Sequence, residues 1–546
     1  MKRFFHILLL SFFIISSVIA QDKAIKNVIL LIPDGTSLPV VSAARWYQRY
    51  NQQNMNGLNI DPYLCGTIFT YSSNAPIGDS APTTSCYMTG YPSRAGYIAM
   101  YPPADSLNDI IPMDTSRAYQ PMMTVPEVAR ITQNKATGLV FTCEFPHATP
   151  ADCAAHTYDR SKYKWIVPQM VHNKLDVVIG GGVNLLTEDE RQFLKNEGYG
   201  VFLNNIDSFR NYKGERMWSL FGNTDMAYDI DRDSVKEPSL AEMTRKAIEK
   251  LSKNKNGFFL MVEGSKTDWA AHANDAAALI TDFLAFDKAC GVALDFAKMD
   301  GKTVVVIVPD HGNSGFSIGS NKCPGYTTLT KDQLFGSISK FKTSRDKLIA
   351  TIQDTDTATL RDTFNRLTGI SLDDDEYAQL LQYTDYKRST HSDETLKKDS
   401  LLTQVVAEIL DKNTCFGFTT HGHTGEEVFL AVYDPTPNRP TGHHTNIELN
   451  QYLRETMGFK QSLESLTDDY FARHTDVFAH YPYTLSANKG ETPVLTVTNN
   501  NKTLEIRPNT NIVKLNGKEV ELNTVIVFVD KNNTFYLPRS LRELLK

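Results

Sequence analysis

Five continuous apolar runs punctuate the chain: Val28–Ile32, Leu139–Phe141, Val177–Ile179, Phe258–Val262 and Val304–Val308. Runs of this kind, rich in β-branched residues and free of polar alternation, predict strands covered on both faces, as in a parallel sheet. Helical spacing of apolar positions lies between them, most clearly across Ala276–Lys298. Strands alternating with helices predict an α/β fold with a central, mostly parallel sheet flanked by helices. Chemistry in such sheets collects beyond the carboxyl ends of the strands. Asp34, Glu263 and the pair Asp310-His311 each follow one of these runs directly or nearly so.

Two regions depart from this rhythm. Residues 331–412 are rich in Lys, Asp, Thr and Leu at helical spacing and predict a helical insertion within a main domain of residues 21–483. Residues 484–546 predict a small β-rich module, with short strands at Val494–Val497, Thr503–Ile506, Val525–Val529 and Thr534–Leu537, closed by a short helix near Ser540–Leu545. Residues 1–20 differ again. Lys2 and Arg3 precede the apolar run Ile7–Ile15, and Ala20 supplies a small residue before Gln21. This predicts a secretory signal cleaved after Ala20, hence export to the periplasm or the exterior. The run is shorter than the ~20 residues of a membrane helix. With no comparable later segment, no integral membrane span is expected after cleavage.

Composition narrows the function class. The 546 residues are 41% hydrophobic and 22% charged, an ordinary globular balance that excludes wholesale disorder. A net charge of −7 argues against nucleic acid as a specific partner, because phosphate backbones need a basic face. The seven cysteines form no CxxC pair, which argues against thiolate zinc sites and predicts buried thiols with one or two bridges.

Five clusters carry candidate chemistry. Asp79-Ser80-Ala81-Pro82 suits a helix start, placing Ser80 where backbone N–H groups and the dipole favour an anion. Asp268 and His272, four apart, share one helix face and suit a zinc pair. Asp310 and His311 follow a strong strand at a turn. His421 and His423 lie in an extended segment that favours one as ligand and the other as neighbour. Pro146-His147-Ala148-Thr149 precedes His156 and Arg160. Singly, each cluster has a plain structural reading: an N-cap serine, a surface Asp–His hydrogen bond, a packing histidine. Jointly, carboxylates and imidazoles without thiolates suit zinc and magnesium.

The order and spacing of these residues closely resemble the alkaline phosphatases, secreted zinc/magnesium phosphomonoesterases, over roughly Asn27 to Pro435. The resemblance implies hydrolysis of small-molecule phosphate monoesters through a phosphoserine intermediate on Ser80, with two zinc ions and one magnesium ion. Asp34 resembles the aspartate that bridges one zinc and the magnesium, and Asp310 and His311 resemble the rest of that zinc's set. Asp268, His272 and His423 resemble the second zinc's ligands, with Ser80 also at the metals. Thr149 and Glu263 match the remaining magnesium ligands, and Arg160 matches the phosphate clamp. His147 and Trp269 stand at two substrate-side positions where other members carry aspartate and lysine. A homodimer is expected from the resemblance alone. The alternatives left open are a related hydrolase, a phosphodiesterase or sulfatase, and a metal- or polymer-binding protein with a vestigial site.

Overall fold

A computed structural model describes residues 24–52, 57–323, 325–384, 393–486 and 492–546. The signal segment expected at residues 1–20 lies outside the described residues. The centre of the molecule is a ten-stranded sheet. In chain order its strands are β1 (Asn27–Pro33), β2 (Leu64–Phe69), β3 (Ala136–Glu144), β4 (Val177–Gly181), β5 (Gly200–Leu203), β6 (Met217–Phe221), β7 (Phe258–Gly264), β8 (Thr303–Ile307), β9 (Val428–Tyr433) and β10 (Gly442–Thr445). Their spatial order is β10-β2-β9-β8-β1-β7-β3-β4-β6-β5. Every pairing is parallel except the two made by β9, which runs antiparallel to β2 and β8. This is the α/β architecture that the five apolar runs predict, and each run forms a strand.

Period-two alternation sorts each strand between two cores. Ile29 and Leu31 of β1 pack on one side with Val140, Leu260 and Ile307. Val28, Leu30 and Ile32 pack on the other with Leu139, Phe259 and Val306. All are fully buried, each worth ~1.5–3 kcal/mol relative to exposure. The helix Ala276–Asp300 covers the first side. The Asp275 side chain caps it by accepting from Ala278 N–H, and it ends at Gly301 with φ 64°.

Both departures from the sheet rhythm are visible. The insertion contains helices Arg345–Gln353, Leu360–Thr368, Asp374–Thr384 and Asp393–Thr414, around an apolar cluster of its own that includes Leu348, Phe364, Leu402 and Val406. The C-terminal region forms two antiparallel sheets. Tyr483–Ser486, Val494–Asn499, Lys502–Ile506, Ile512–Leu515 and Lys518–Glu521 make one. Val527–Val529 and Thr534–Leu537 make the other with Ala472–Arg473, so strand pairing crosses position 483. A bridge joins Cys323 to Cys415, and Cys86, Cys143, Cys153 and Cys290 are buried thiols. Of the aromatics on the helix Leu38–Asn51, Tyr47 and Tyr50 pack on Phe335, whereas Trp46 faces outward under Arg49.

Candidate active site

The sheet register assembles the site. β1 lies between β7 and β8, with Ile32 opposite Glu263 and Leu31 opposite Ile307. Asp34, Glu263 and Asp310, more than two hundred residues apart in sequence for the most distant pair, therefore emerge side by side at the carboxyl edge. Gly35 makes the turn after β1 with φ 56°, and a Cβ there would stand 2.2 Å from Asp268 Oδ1. Its N–H donates to Asp310 Oδ1 at 3.1 Å. The short helix Lys266–His272 follows β7 and brings in Asp268 and His272, while the Thr267 hydroxyl donates to the Asp34 carbonyl at 2.6 Å. His423 enters by antiparallel pairing of His423–Thr424 with Gly312–Asn313, the residues just after His311.

Ser80 is the first residue of the helix Ser80–Thr89, every residue of which is buried. Its Oγ lies 3.5 Å from Asp34 Oδ1 and 3.3 Å from His311 Nε2. His311 Nε2 is 3.4 Å from Asp34 Oδ1 and 3.6 Å from Asp310 Oδ2. On the more open side, Asp268 Oδ2 is 3.4 Å from His272 Nε2 and Asp268 Oδ1 is 3.6 Å from His423 Nε2. The two Nε2 atoms approach to 3.1 Å. All three imidazoles turn Nδ1 to a backbone carbonyl: His311 to Gly312, His272 to His421 and His423 to Gly78. A carbonyl only accepts, so the proton belongs on Nδ1 and each Nε2 presents its lone pair inward.

These donors fit divalent cations. Asp34 Oδ2, Glu263 Oε1, Asp310 Oδ2 and Thr149 Oγ1 are buried and lack a hydrogen-bond partner among the described residues. Buried acceptors and facing lone pairs with nothing positive between them are costly unless a cation joins them. Asp34, Asp268 and His311 form one cation-sized group, Asp268, His272 and His423 a second, and Cys143, His147 and Glu263 a third. Charge crowding agrees. Burial, then Asp310, Asp268 and Glu263, push the Asp34 carboxyl well above the usual range. Burial and Asp310 push Glu263 up to about 8. Burial works on Asp268 in the same direction, but positive charge on His311, His272 and His423 when these rings are protonated, with the Asn313 amide, outweighs it and holds that carboxyl low.

Arg160 reaches the helix start through Asp79, the residue before Ser80. Its Nη1 donates to Asp79 Oδ1 at 2.8 Å, and its Nη2 lies 3.0 Å from His147 Nε2. A guanidinium only donates, so His147 accepts there. Burial and the Arg160 charge draw His147 down to about 3, which leaves it neutral. Trp269 stands edge-on to His147, with ring centroids 6.0 Å apart, and Lys266 packs over its indole. Apart from His156, the residues singled out from sequence thus lie on this edge. Three partners did not stand out there. Asp79, read only as a helix start, holds Arg160, and Asn313 donates to Asp268 Oδ1 at 2.7 Å. Lys266 pairs with Asp225 from another strand's end. Asn313, two residues beyond His311, is the one that proximity in sequence could have flagged. His156 sits behind the site, between Glu127 and the Ala99 carbonyl and against Phe471.

A helix-borne hydroxyl facing paired carboxylate–imidazole clusters and one guanidinium defines a site for a tetrahedral anionic group held among cations. The family profile "Alkaline phosphatase" matches residues 25–459. Alkaline phosphatase 3 of Bacillus subtilis is 32% identical over 443 residues, covering 79% of this chain and 88% of that protein. Among solved structures, the cold-active alkaline phosphatase of the psychrophile Shewanella sp. superposes with TM-score 0.68 at 24% identity, over 79% of this chain and 99% of that one. A mutant of the alkaline phosphatase from the Antarctic bacterium TAB5, with magnesium bound in its M3 site, superposes with TM-score 0.55 at 24% identity over 80% and 99%. The chain belongs to the alkaline phosphatase family and is an enzyme that hydrolyses phosphate monoesters.

Proposed function

We propose that the reaction runs through a phosphoserine on Ser80, with two zinc ions and one magnesium ion resident at the carboxyl edge. Asp34, Asp310 and His311 would hold one zinc, and Asp268, His272 and His423 the other. Asp34, Thr149 and Glu263 would hold the magnesium, a metal named in the M3 site of the TAB5 mutant. Cations bound there supply Lewis acidity, lowering the pKa of a hydroxyl or water and taking up charge on phosphoryl oxygens. Ser80 Oγ forms its bond to phosphorus as the ester oxygen leaves, and water later releases inorganic phosphate from the serine. Arg160 offers a planar fork to two phosphoryl oxygens, a geometry lysine lacks. Asp79 keeps the fork aimed at Ser80, while the neutral His147 and Trp269 border the space for the substrate. The observation that carries this reading is the place of Ser80 Oγ, within 3.5 Å of Asp34 and 3.3 Å of His311 at a buried helix start.

Acid-quenched turnover of a labelled aryl phosphate should leave label on the peptide containing Ser80. Ser80→Ala should lower turnover by ~10³-fold or more while zinc content persists. Activity surviving with little loss, or label on another residue, refutes the assignment. Comparable turnover of a diester or a sulfate ester would favour the related hydrolases instead.

The carboxyl groups make a second test independent of turnover. Asp34 and Glu263 titrate higher folded than unfolded, so between the unfolded carboxyl range and about 8 the metal-free folded state binds more protons than the unfolded one. Metal-free stability should therefore fall as pH rises from ~4.3 to ~8, and zinc with magnesium should raise the melting temperature most at the alkaline end. Calorimetry with and without chelator measures both; a metal-free melting temperature that rises with pH would count against the clustered acids.

Export rests on the Lys2-Arg3 and Ile7–Ile15 pattern, and a homodimer on the family resemblance. Among the described residues, no helix is long and apolar enough to cross a membrane.

A further inference from the structure

The segment bearing Arg160 is held from outside the family's sequence profile, which ends at residue 459. Tyr158 donates its hydroxyl to Asp530 Oδ1 at 2.6 Å, and Lys162 Nζ lies 3.3 Å from Asp530 Oδ2. One carboxylate, in the turn between Val527–Val529 and Thr534–Leu537, therefore ties down the residues two before and two after Arg160. Lys162 also reaches the Tyr158 hydroxyl and lies over the Trp165 ring at 3.7 Å. Inside this bracket the Arg160 N–H donates to the Gly96 carbonyl at 2.7 Å. Further along the same stretch, Gln169 donates to Asn509 at 3.1 Å, His172 Nδ1 meets Asn511 Oδ1 at 2.8 Å, and Lys174 pairs with Glu521 at 2.6 Å.

We propose that Asp530 is a positioning residue for phosphate binding: by bridging Tyr158 and Lys162 it holds the Arg160 backbone where the guanidinium reaches both Asp79 and the phosphoryl group. The inference rests on the reading of Arg160 as the clamp. The physical argument is one of entropy. Without the bridge the short stretch around Arg160 keeps its backbone bonds to Gly96 and Ile98 and the Tyr163 bond to Glu144 but loses the carboxylate that ties its two ends together, and part of its ordering then falls on the ligand's binding energy. The Asp530 side chain is 47% exposed and Lys162 23%, so the effect is modest rather than all-or-none, and loss of the carboxylate should not unfold the chain.

The test uses the metal-loaded enzyme and inorganic phosphate, by titration calorimetry and by competitive inhibition of aryl phosphate hydrolysis. Asp530→Ala should weaken phosphate binding ~3- to 10-fold and raise KM in parallel, with kcat moving less. Asp530→Asn, which keeps an acceptor for the Tyr158 hydroxyl, should fall between. In an Arg160→Ala background, Asp530→Ala should change nothing further, because the group it positions is gone. Glu521→Ala, which breaks an ion pair of the same interface farther from Arg160, should leave phosphate affinity unchanged. An equal loss in both backgrounds, no loss, or the same loss from Glu521→Ala overturns the proposal. If Arg160→Ala itself leaves phosphate affinity intact, the clamp reading fails and the bracket with it. If Arg160→Ala weakens binding while Asp530→Ala does not, only the bracket fails.

Discussion

The helical insertion and the C-terminal strands are both additions to the sheet, and they are attached in opposite ways. The insertion leaves through a narrow neck. Ser317–Ile318 pairs with Phe416–Gly417, the Cys323–Cys415 bridge closes it, and the distal helices bury Leu348, Phe364, Leu402 and Val406 against one another. Its root reaches the main body through Phe335 and Ile338 and through the Arg345 N–H, which donates to Asp275 Oδ2. The second C-terminal sheet has no such independence. Val525, Val527, Val529 and Tyr536 share one apolar cluster with Met100, Met123 and Val128 of the main domain. Apolar area shared with the main core joins two regions in one cooperative unit, whereas a covalent neck joins them while leaving each its own stability.

That contrast can be broken most sharply by a pair of core truncations. Tyr536→Ala and Phe364→Ala each empty a fully buried aromatic site and should each cost ~3–5 kcal/mol. For Tyr536→Ala the loss should appear in the main denaturation transition, together with loss of phosphate binding. For Phe364→Ala it should be confined to the insertion, seen as rapid hydrogen exchange over residues 345–411 with phosphate release retained. Identical global losses would mean the insertion is not a separate unit. Next in size, replacing Cys323 and Cys415 by serine opens a loop spanning 92 positions and should cost ~2–4 kcal/mol, again within the insertion. A matching fall in zinc affinity would show that the neck also steadies His423, eight residues beyond Cys415. Smallest, Glu521→Gln weakens a half-exposed ion pair with Lys174 and should change stability by no more than ~1 kcal/mol by chemical denaturation.

The strands that were legible in sequence are the fully covered ones: β1, β3, β4, β7 and β8 contain uninterrupted apolar runs because both faces of the central sheet are dry. β5 and β10 escaped notice because they are short edge strands that begin with glycine, and β6 because Ser219 interrupts its apolar run. β9 lies beyond the segment singled out around His421 and His423, and nothing local in it reveals that it runs antiparallel. The same asymmetry holds at the site. Ser80, Asp34, Asp268, Asp310 and His423 stood out because their spacing carries a resemblance. Asp79 was seen as a cap because its bond to Arg160 spans 81 positions, and Asp530 drew no attention because its partners lie more than 360 positions away.

Sequence alone determined the class of sheet and the types of side chain gathered at its carboxyl edge, since burial periodicity and donor chemistry are local properties written into neighbouring residues. Tertiary structure alone decided which carboxylates share a charge cluster, which nitrogen of each histidine turns inward, and that the last strands reach back around Arg160. These depend on distances between remote parts of the chain, which a linear pattern does not encode and packing of the sheet sets.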